Sequence, residues 1–385
     1  MVFDILHEVE KANIAGTLSE LISIPSYESE KGIVEYISKR LDRLNVRYDI
    51  REVAPSRQNL IAYTGGKGKS LILNTHTDTV PPGNPENWDS DPLKPVLKGD
   101  KLLGLGSCDA KASLASMMTA FEIIARNSSI LNGTLIFQAV CCEESRARGT
   151  LAEVAHGITA DAAIIGEPTG LVPMIGHKGA IGLEISVSGK SAHGSSPEKG
   201  INAISNMAAI IKLLDSLADK VSKRHNPLIG NASLAVTTIH GGQAPNVIPD
   251  SCIITVDRRL IPSETIKTAW NEILAIIEEE KSVNPSLSAS VKEGISIEPC
   301  IISQEEPIVK NVVDSIYKVT GENRKVSGFT ACCDMWCLVQ RLNIPTLILG
   351  PGDLSMAHKA NESISIDELY EAAKIYLSVA LNWLG

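Results

Sequence analysis

The sequence predicts an α/β protein: a discontinuous catalytic domain with a mainly parallel sheet, plus an inserted ferredoxin-like (β-α-β-β-α-β) domain. Three observations lead there. Apolar runs that read as buried strands alternate with helical segments from residue 71 to 166. The order of elements changes after Gly179, and past Ile295 the chain returns to helix and buried strand. With 385 residues, the chain also exceeds what one hydrophobic core usually organises. Residues 1–179 and 295–385 are assigned to the catalytic domain, and 180–294 to the inserted domain.

From Asp4 to Leu44 two helical segments follow one another, broken at Ile24-Pro25-Ser26, with Ser29 as the second N-cap and Glu30 an acid in its first turn. Buried strands are expected at Leu71–Leu73 running into THTDTV, at Thr134–Cys142 and at Ala162–Gly166. Helices over Ala112–Ala125 and Arg146–His156 lie between them. The insert reads as strand Gly182–Ser188, helix Asn202–Leu217, strands Ser233–Ile239 and Ser251–Asp257, helix Glu264–Glu279 and strand Leu287–Val291. The run Pro345–Gly350 is a last buried strand, and Ile366–Leu384 a last helix.

Composition excludes several classes. A hydrophobic fraction of 44% with 21% charged residues is that of an ordinary globular chain. The net charge of -9, without a Lys/Arg run, argues against nucleic acid as a partner. The N-terminus lacks the basic start and apolar stretch of an export signal, and no window reaches the roughly 20 apolar residues of a membrane span, so a cytoplasmic location without membrane contact is expected. The eight cysteines contain no C-x-x-C pair; they are expected to be reduced, with Cys108, Cys141 and Cys142 packing in the interior.

Acids and histidines stand after several of the predicted strands, where open α/β sheets carry their sites. His76, in THTDTVPPG, is followed two residues later by Asp78, which can reach the imidazole and hold its tautomer while the other nitrogen takes a metal; a turn histidine is the plainer reading. Asp109, in GLGSCDAKA, fits a helix-capping aspartate as well as a ligand. Glu143 and Glu144 close an apolar strand, so one could ligate metal and the other handle a proton, with a solvated strand end as the alternative. Glu167 and His358 complete a set of oxygen and nitrogen donors without sulfur, which suits a two-metal hydrolytic site.

Taken in order, HTDTVP, GLGSCDAK, CCEES, GEPTG, HKG, SAHGSSPEKGINAI, GGQAPNVIP, VDRRLIP and GPGDLSMAHKANE resemble the dinuclear zinc deacylases and exopeptidases, a family that includes acetylornithine deacetylase, succinyl-diaminopimelate desuccinylase and aminoacylase. The resemblance spans nearly the whole chain. It implies two Zn2+ per subunit, with Co2+ or Mn2+ as alternatives: His76 and Glu167 on one ion, Glu144 and His358 on the other, and Asp109 bridging both through a residue whose following peptide is cis. It implies Glu143 as general base and Asp78 as support for the ligand histidine. It further implies that the insert, 180–294, is a lid and dimerisation domain of a homodimer in which His193 stabilises the oxyanion in a neighbouring subunit, with Asn246 and Arg259 holding the substrate carboxylate.

The implied reaction is removal of an N-acyl group from a small amino acid. N-acetylornithine, a step of arginine biosynthesis, is the first choice; N-succinyl-diaminopimelate and broader aminoacylase or dipeptidase substrates follow, and a binding protein that has lost its chemistry is the distant alternative. Two departures stand out: Ala112 replaces a usual glycine, and GFTACCDMW differs from the usual pocket sequence, which leaves open what Cys332, Cys333 and Asp334 do. His177 and Lys178 of HKG, and His240, are left without a catalytic role.

Overall fold

The computed structural model describes residues 5–385; Asp4, where the first helical segment was expected to open, lies outside them. The chain begins with helices α1 (Lys11–Ile22) and α2 (Lys31–Arg43) and strands β1 (Arg47–Ala54), β2 (Arg57–Gly65) and β3 (Ser70–His76). Then come α3 (Lys111–Arg126), β4 (Thr134–Val140), α4 (Arg148–Ala155), β5 (Ala162–Ile165) and β6 (Met174–His177). The insert contributes β7 (Gly179–Ser188), α5 (Ala203–Val221), β8 (Ser233–Gly241), β9 (Ser251–Leu260), α6 (Ile266–Val283) and β10 (Ser288–Ile297). The chain closes with α7 (Pro307–Thr320), α8 (Met335–Leu342), β11 (Thr346–Ile348) and α9 (Ile366–Leu384).

It divides into two compact units: residues up to Gly176 with Ile302–Phe329 and Cys333–Gly385, and His177–Ile301 with Thr330–Cys332. In the first, the strands run β1-β2-β4-β3-β5-β11-β6 across one sheet. Strands β4, β3, β5 and β11 are mutually parallel, with Asn74 beside Gln138 and His76 beside Val140 in the β3/β4 register. Their carboxyl ends therefore meet at one edge, where the ligand-bearing loops begin. Strands β3 and β4 are buried along all but their first residue, which is why both read as continuous apolar runs. Helix α3 is buried almost all round and packs on α9 and α1.

The sheet is mixed rather than uniformly parallel, because β1 and β2 form an antiparallel hairpin and β2 joins β4 antiparallel. Only Asn59–Ala62 of this hairpin are fully buried and Asn59 is polar, so its hydrophobic signal in the sequence is short.

The second unit has four antiparallel strands in the order β8-β9-β7-β10, the split β-α-β-β-α-β arrangement. Ile181, Leu183, Ile185 and Val187 of β7 alternate into a core shared with Met207, Ile210 and Leu214 of α5 and Ile273 and Ile277 of α6. Asn202 caps α5 by accepting the Ile204 and Ser205 amides. No helix among the described residues is long and apolar enough to cross a membrane.

Several boundaries move for local reasons. Helix α2 starts at Lys31 with Glu30 in the capping position, and Ser29 reaches the first helical amide only at 3.3 Å. Strand β4 stops at Val140, since Cys142 takes φ of 59°; the Glu143–Glu144 pair sits on the loop beyond rather than closing the strand. Helix α4 starts at Arg148 because Arg146 and Ala147 also have positive φ.

Candidate metal centre

His76 is the last residue of β3, and its Nδ1 lies 2.9 Å from the Asp78 carbonyl oxygen. That contact places the proton on Nδ1 and leaves the Nε2 lone pair facing the acids. The Asp78 carboxylate itself stands within ion-pair reach of the ring but beyond hydrogen-bond distance, with Oδ1 3.8 Å from Nδ1. Instead, the two carboxylate oxygens accept the amides of Glu143 and Glu144, each at 3.2 Å. The chain has left the strand after His76, so the alternation that would aim residue 78 at the imidazole no longer applies.

Asp109 is held from beneath by a residue the sequence reading passed over. Buried Glu362 accepts the amides of Gly106, Cys108 and Asp109, all at 2.7 Å. Gly106, at φ 74°, leaves no room for a side chain, for a Cβ would stand 2.7 Å from Thr79. Burial raises the Glu362 carboxyl to about 7. The Asp109-Ala110 peptide is cis. Two residues on, the buried Lys111 Nζ donates to the carbonyls of Leu21 and Ile24 and so ties the start of α3 to the end of α1. Only the position of Glu362, four residues after His358 in the same motif, could have marked it in the sequence.

Asn59 of β2 fastens the Glu143–Glu144 loop: its Oδ1 accepts the Cys141 amide, and its Nδ2 donates to Gly149 carbonyl and Glu153. Gly149 packs so closely that a Cβ there would lie 2.2 Å from the Cys141 carbonyl oxygen. Glu167 follows β5, where Gly166 donates to the Asn74 carbonyl and passes tightly over Ser113 and Met117 of α3.

These loops bring the five expected ligands into two groups that share one residue: His76, Asp109 and Glu167, and Asp109, Glu144 and His358. Asp109 Oδ1 is 3.1 Å from His76 Nε2, and Oδ2 is 3.4 Å from His358 Nε2. Glu167 lies 3.9 Å from His76, and Glu144 2.9 Å from His358. Side-chain exposure is 1% for His76, 7% for Glu167 and 11% for Asp109, against 17% for Glu144 and 53% for His358.

The electrostatics call for a cation. Burial, then repulsion from Glu167, pushes the Glu143 carboxyl well above the usual range; burial, then Asp109, does the same for Glu167, against the opposing pull of His76. Burial disfavours a charged His76, yet the hydrogen bond to Asp109 and the charge of Glu167 raise it. Buried acids that outnumber their cationic partners are stabilised by bound metal, and imidazole and carboxylate donors suit a borderline divalent ion. Cys108 takes no part: burial raises its pKa, and its thiol donates to the Asp353 carbonyl. The donor set fits a pair of such ions.

His193, Asn246 and Arg259 belong to the second unit. His193 is exposed and pairs with Val247 in a short antiparallel bridge, and the Gly194 amide donates to the Asn246 carbonyl at 2.7 Å, so these two positions are neighbours. Its Nδ1 accepts from Ser195. Arg259 donates through Nε and Nη2 to the Asp257 carboxylate at 2.7 and 3.0 Å, and its Nη1 lies 3.8 Å from Cys332 Sγ. Arg258, on the opposite face of β9, is buried in an ion pair with Glu264.

The model of peptidase family M20/M25/M40 matches residues 72–382. The chain belongs to this family. It is accordingly an enzyme, a metal-dependent amidohydrolase. Acetylornithine deacetylase of Vibrio vulnificus is 31% identical over 359 residues, 92% of each chain, and that of Proteus mirabilis 32% identical over 364 residues, 90% of each. Among solved structures, a tripeptidase of Staphylococcus aureus superposes with a TM-score of 0.82 at 24% identity, covering 96% of this chain and 98% of that one. A dinuclear metal-binding M20 peptidase of Bacillus subtilis gives 0.72 at 15% identity, covering 97% and 98%. These M20 likenesses agree with the α/β architecture and mainly parallel sheet.

Proposed function

We propose that the enzyme removes the acetyl group from N-acetylornithine, a step of arginine biosynthesis, at a centre of two zinc ions. The observation that carries the reading is the shared Asp109, whose two oxygens face two separate histidine-carboxylate groups. The deacetylases of similar sequence support the choice of substrate. His76, Asp109 and Glu167 would hold one ion, and Asp109, Glu144 and His358 the other. Bound there, the ions supply positive charge that polarises the scissile carbonyl and acidifies water.

The chain's own residues supply the remaining steps. The Asp78 carbonyl fixes the His76 tautomer, and the Asp78 carboxylate fixes the backbone of Glu143 and Glu144. A Glu143 carboxylate oxygen accepts the proton of the attacking water and returns it to the leaving nitrogen, which departs as the amine. Asn246 and the forked Arg259 guanidinium bind the substrate carboxylate. His193, contributed by a second subunit of a homodimer through the inserted lid domain, donates to the developing oxyanion.

The test is amine release from N-acetylornithine, N-succinyl-diaminopimelate, other N-acyl amino acids and dipeptides, with metal removed and restored. Preference for N-acetylornithine supports the reading; preference for a dipeptide, or turnover that survives full metal removal, refutes it. For the second subunit, His193→Ala should lower turnover on the order of 100-fold with metal content intact, and mixing it with an inactive Glu143→Ala parent should restore part of the activity.

A further inference from the structure

Beneath the metal centre, the first unit holds a line of polar side chains to which neither the ligands nor the substrate-binding residues belong. Asn74, two residues before His76 on β3, donates through Nδ2 to Oε1 of Gln138 at 2.9 Å and to Oγ1 of Thr150 at 3.0 Å. Thr150 in turn donates its hydroxyl to Oδ2 of Asp334 at 2.6 Å. All four side chains are buried, and three of their atoms have no partner: Asn74 Oδ1, Gln138 Nε2 and Asp334 Oδ1. An incompletely bonded network is less stable than apolar packing of the same volume, so packing alone does not account for it.

Asp334 sharpens the point. It immediately precedes α8, a position from which an aspartate side chain ordinarily accepts first-turn amides, yet it makes no such bond. The carboxylate turns away from its own helix to reach Thr150 in the first turn of α4. Helix α4 follows directly on the Glu143–Glu144 loop, with the Ala147 and Arg148 amides donating back to the Glu143 and Cys142 carbonyls. Asn74 ties the same hydroxyl to the strand that ends in His76. Asp334 also lies near enough for its charge to act on both Glu143 and Glu167.

We propose that Asp334 is a positioning residue for Glu143, acting through Thr150 to lock α4 and the loop before it against the His76 strand. The inference rests on the reading of Glu143 as the base. One Asp334 oxygen, bonded to Thr150, fixes the helix that follows the Glu143–Glu144 loop. Such supporting partners change activity by about 10- to 100-fold when lost.

The test uses the full-length enzyme and four variants, Asp334→Asn, Asp334→Ala, Thr150→Val and Thr150→Ser. Turnover, KM, unfolding temperature and the visible spectrum of the Co2+-loaded protein are measured for each. Asp334→Ala and Thr150→Val should lower kcat about 10- to 100-fold, with KM within about twofold and both Co2+ ions keeping the parent's absorption bands, whereas Asp334→Asn, which keeps an oxygen to accept from Thr150, should fall less. Thr150→Ser, which keeps the hydroxyl, should return kcat to within about threefold of the parent. Folded Asp334→Ala or Thr150→Val with the parent's kcat overturns the inference, as does a Co2+ spectrum that loses one ion, which would make Asp334 a support for a ligand instead. If Asp334→Ala does not fold, the two threonine variants decide. A parent inactive on every acylated amino acid refutes the reading of the site itself, whereas an active parent with an unaffected Thr150→Val refutes only the positioning role.

Discussion

His76 and His358 each present Nε2 to one oxygen of Asp109, at 3.1 and 3.4 Å, but their side chains are 1% and 53% exposed. The first sits at the end of a buried strand with its tautomer fixed by the Asp78 carbonyl. The second lies on a loop, at a φ of 59°, with Glu144 as its nearest acid. One cluster is thus assembled by the sheet and shielded from water, and the other is completed from outside. Charge interactions weaken with solvation, so the buried cluster should bind its ion more tightly and release it more slowly.

The largest effect is expected where the two clusters join. Asp109→Ala should remove both ions and lower turnover on the order of a thousand-fold or more, read by metal analysis and amine release. Retention of two ions per chain would break the account of a shared ligand. Next, His358→Ala should leave about one ion bound and His76→Ala fewer, in a chelator competition followed by metal counting. Equal losses would abolish the distinction between the clusters.

Rigidity at the buried side can be probed without touching a ligand. Gly149→Ala drives a methyl group against the Cys141 carbonyl and should cost about 1–3 kcal/mol in denaturant unfolding. An unchanged midpoint would show that the loop is looser than its packing implies.

His177 offers the smallest and most specific contrast, as a histidine buried like His76 but with neither ring nitrogen hydrogen-bonded to a carboxylate among the described residues. Its Nδ1 lies 2.6 Å from the Lys178 carbonyl oxygen, its Nε2 has no partner, and burial lowers its pKa to about 4. A depressed histidine pKa means that the unfolded chain binds the proton first. Stability is therefore complete above pH 6.5 and falls as pH drops from there towards 4, by roughly 3 kcal/mol over the whole window. His177→Asn should unfold with a shallower dependence between pH 7 and 5; an identical slope would contradict this.

How much of this the sequence disclosed follows from the kind of signal each feature leaves. Strands β3, β4 and β5 were legible because both faces are buried and their apolar runs are unbroken. The β1–β2 hairpin was not, since its strands are only partly buried and polar residues interrupt them. Ligand residues stood out because acids and histidines after apolar strands are unusual. Residues that hold the ligands left no comparable trace: Glu362 grips three amides, Asn59 pins a loop, and Asp334 bonds to a threonine 184 positions away. Their partners are backbone groups or distant side chains, which periodicity does not encode. Asp78 shows the limit from the other side: the strand ends at His76, so the hydrogen bond to the ring comes from the Asp78 carbonyl, while its carboxylate stays at 3.8 Å.

The proposed function depends on a two-ion centre organised around Asp109. Its most direct test is titration of metal-free protein with Zn2+, counting bound ions while following amine release from N-acetylornithine. The account requires two separable binding steps, the tighter one surviving in His358→Ala, and turnover that appears only with added metal. A single binding step, or turnover of N-acetylornithine that is complete before any metal is added, would contradict it.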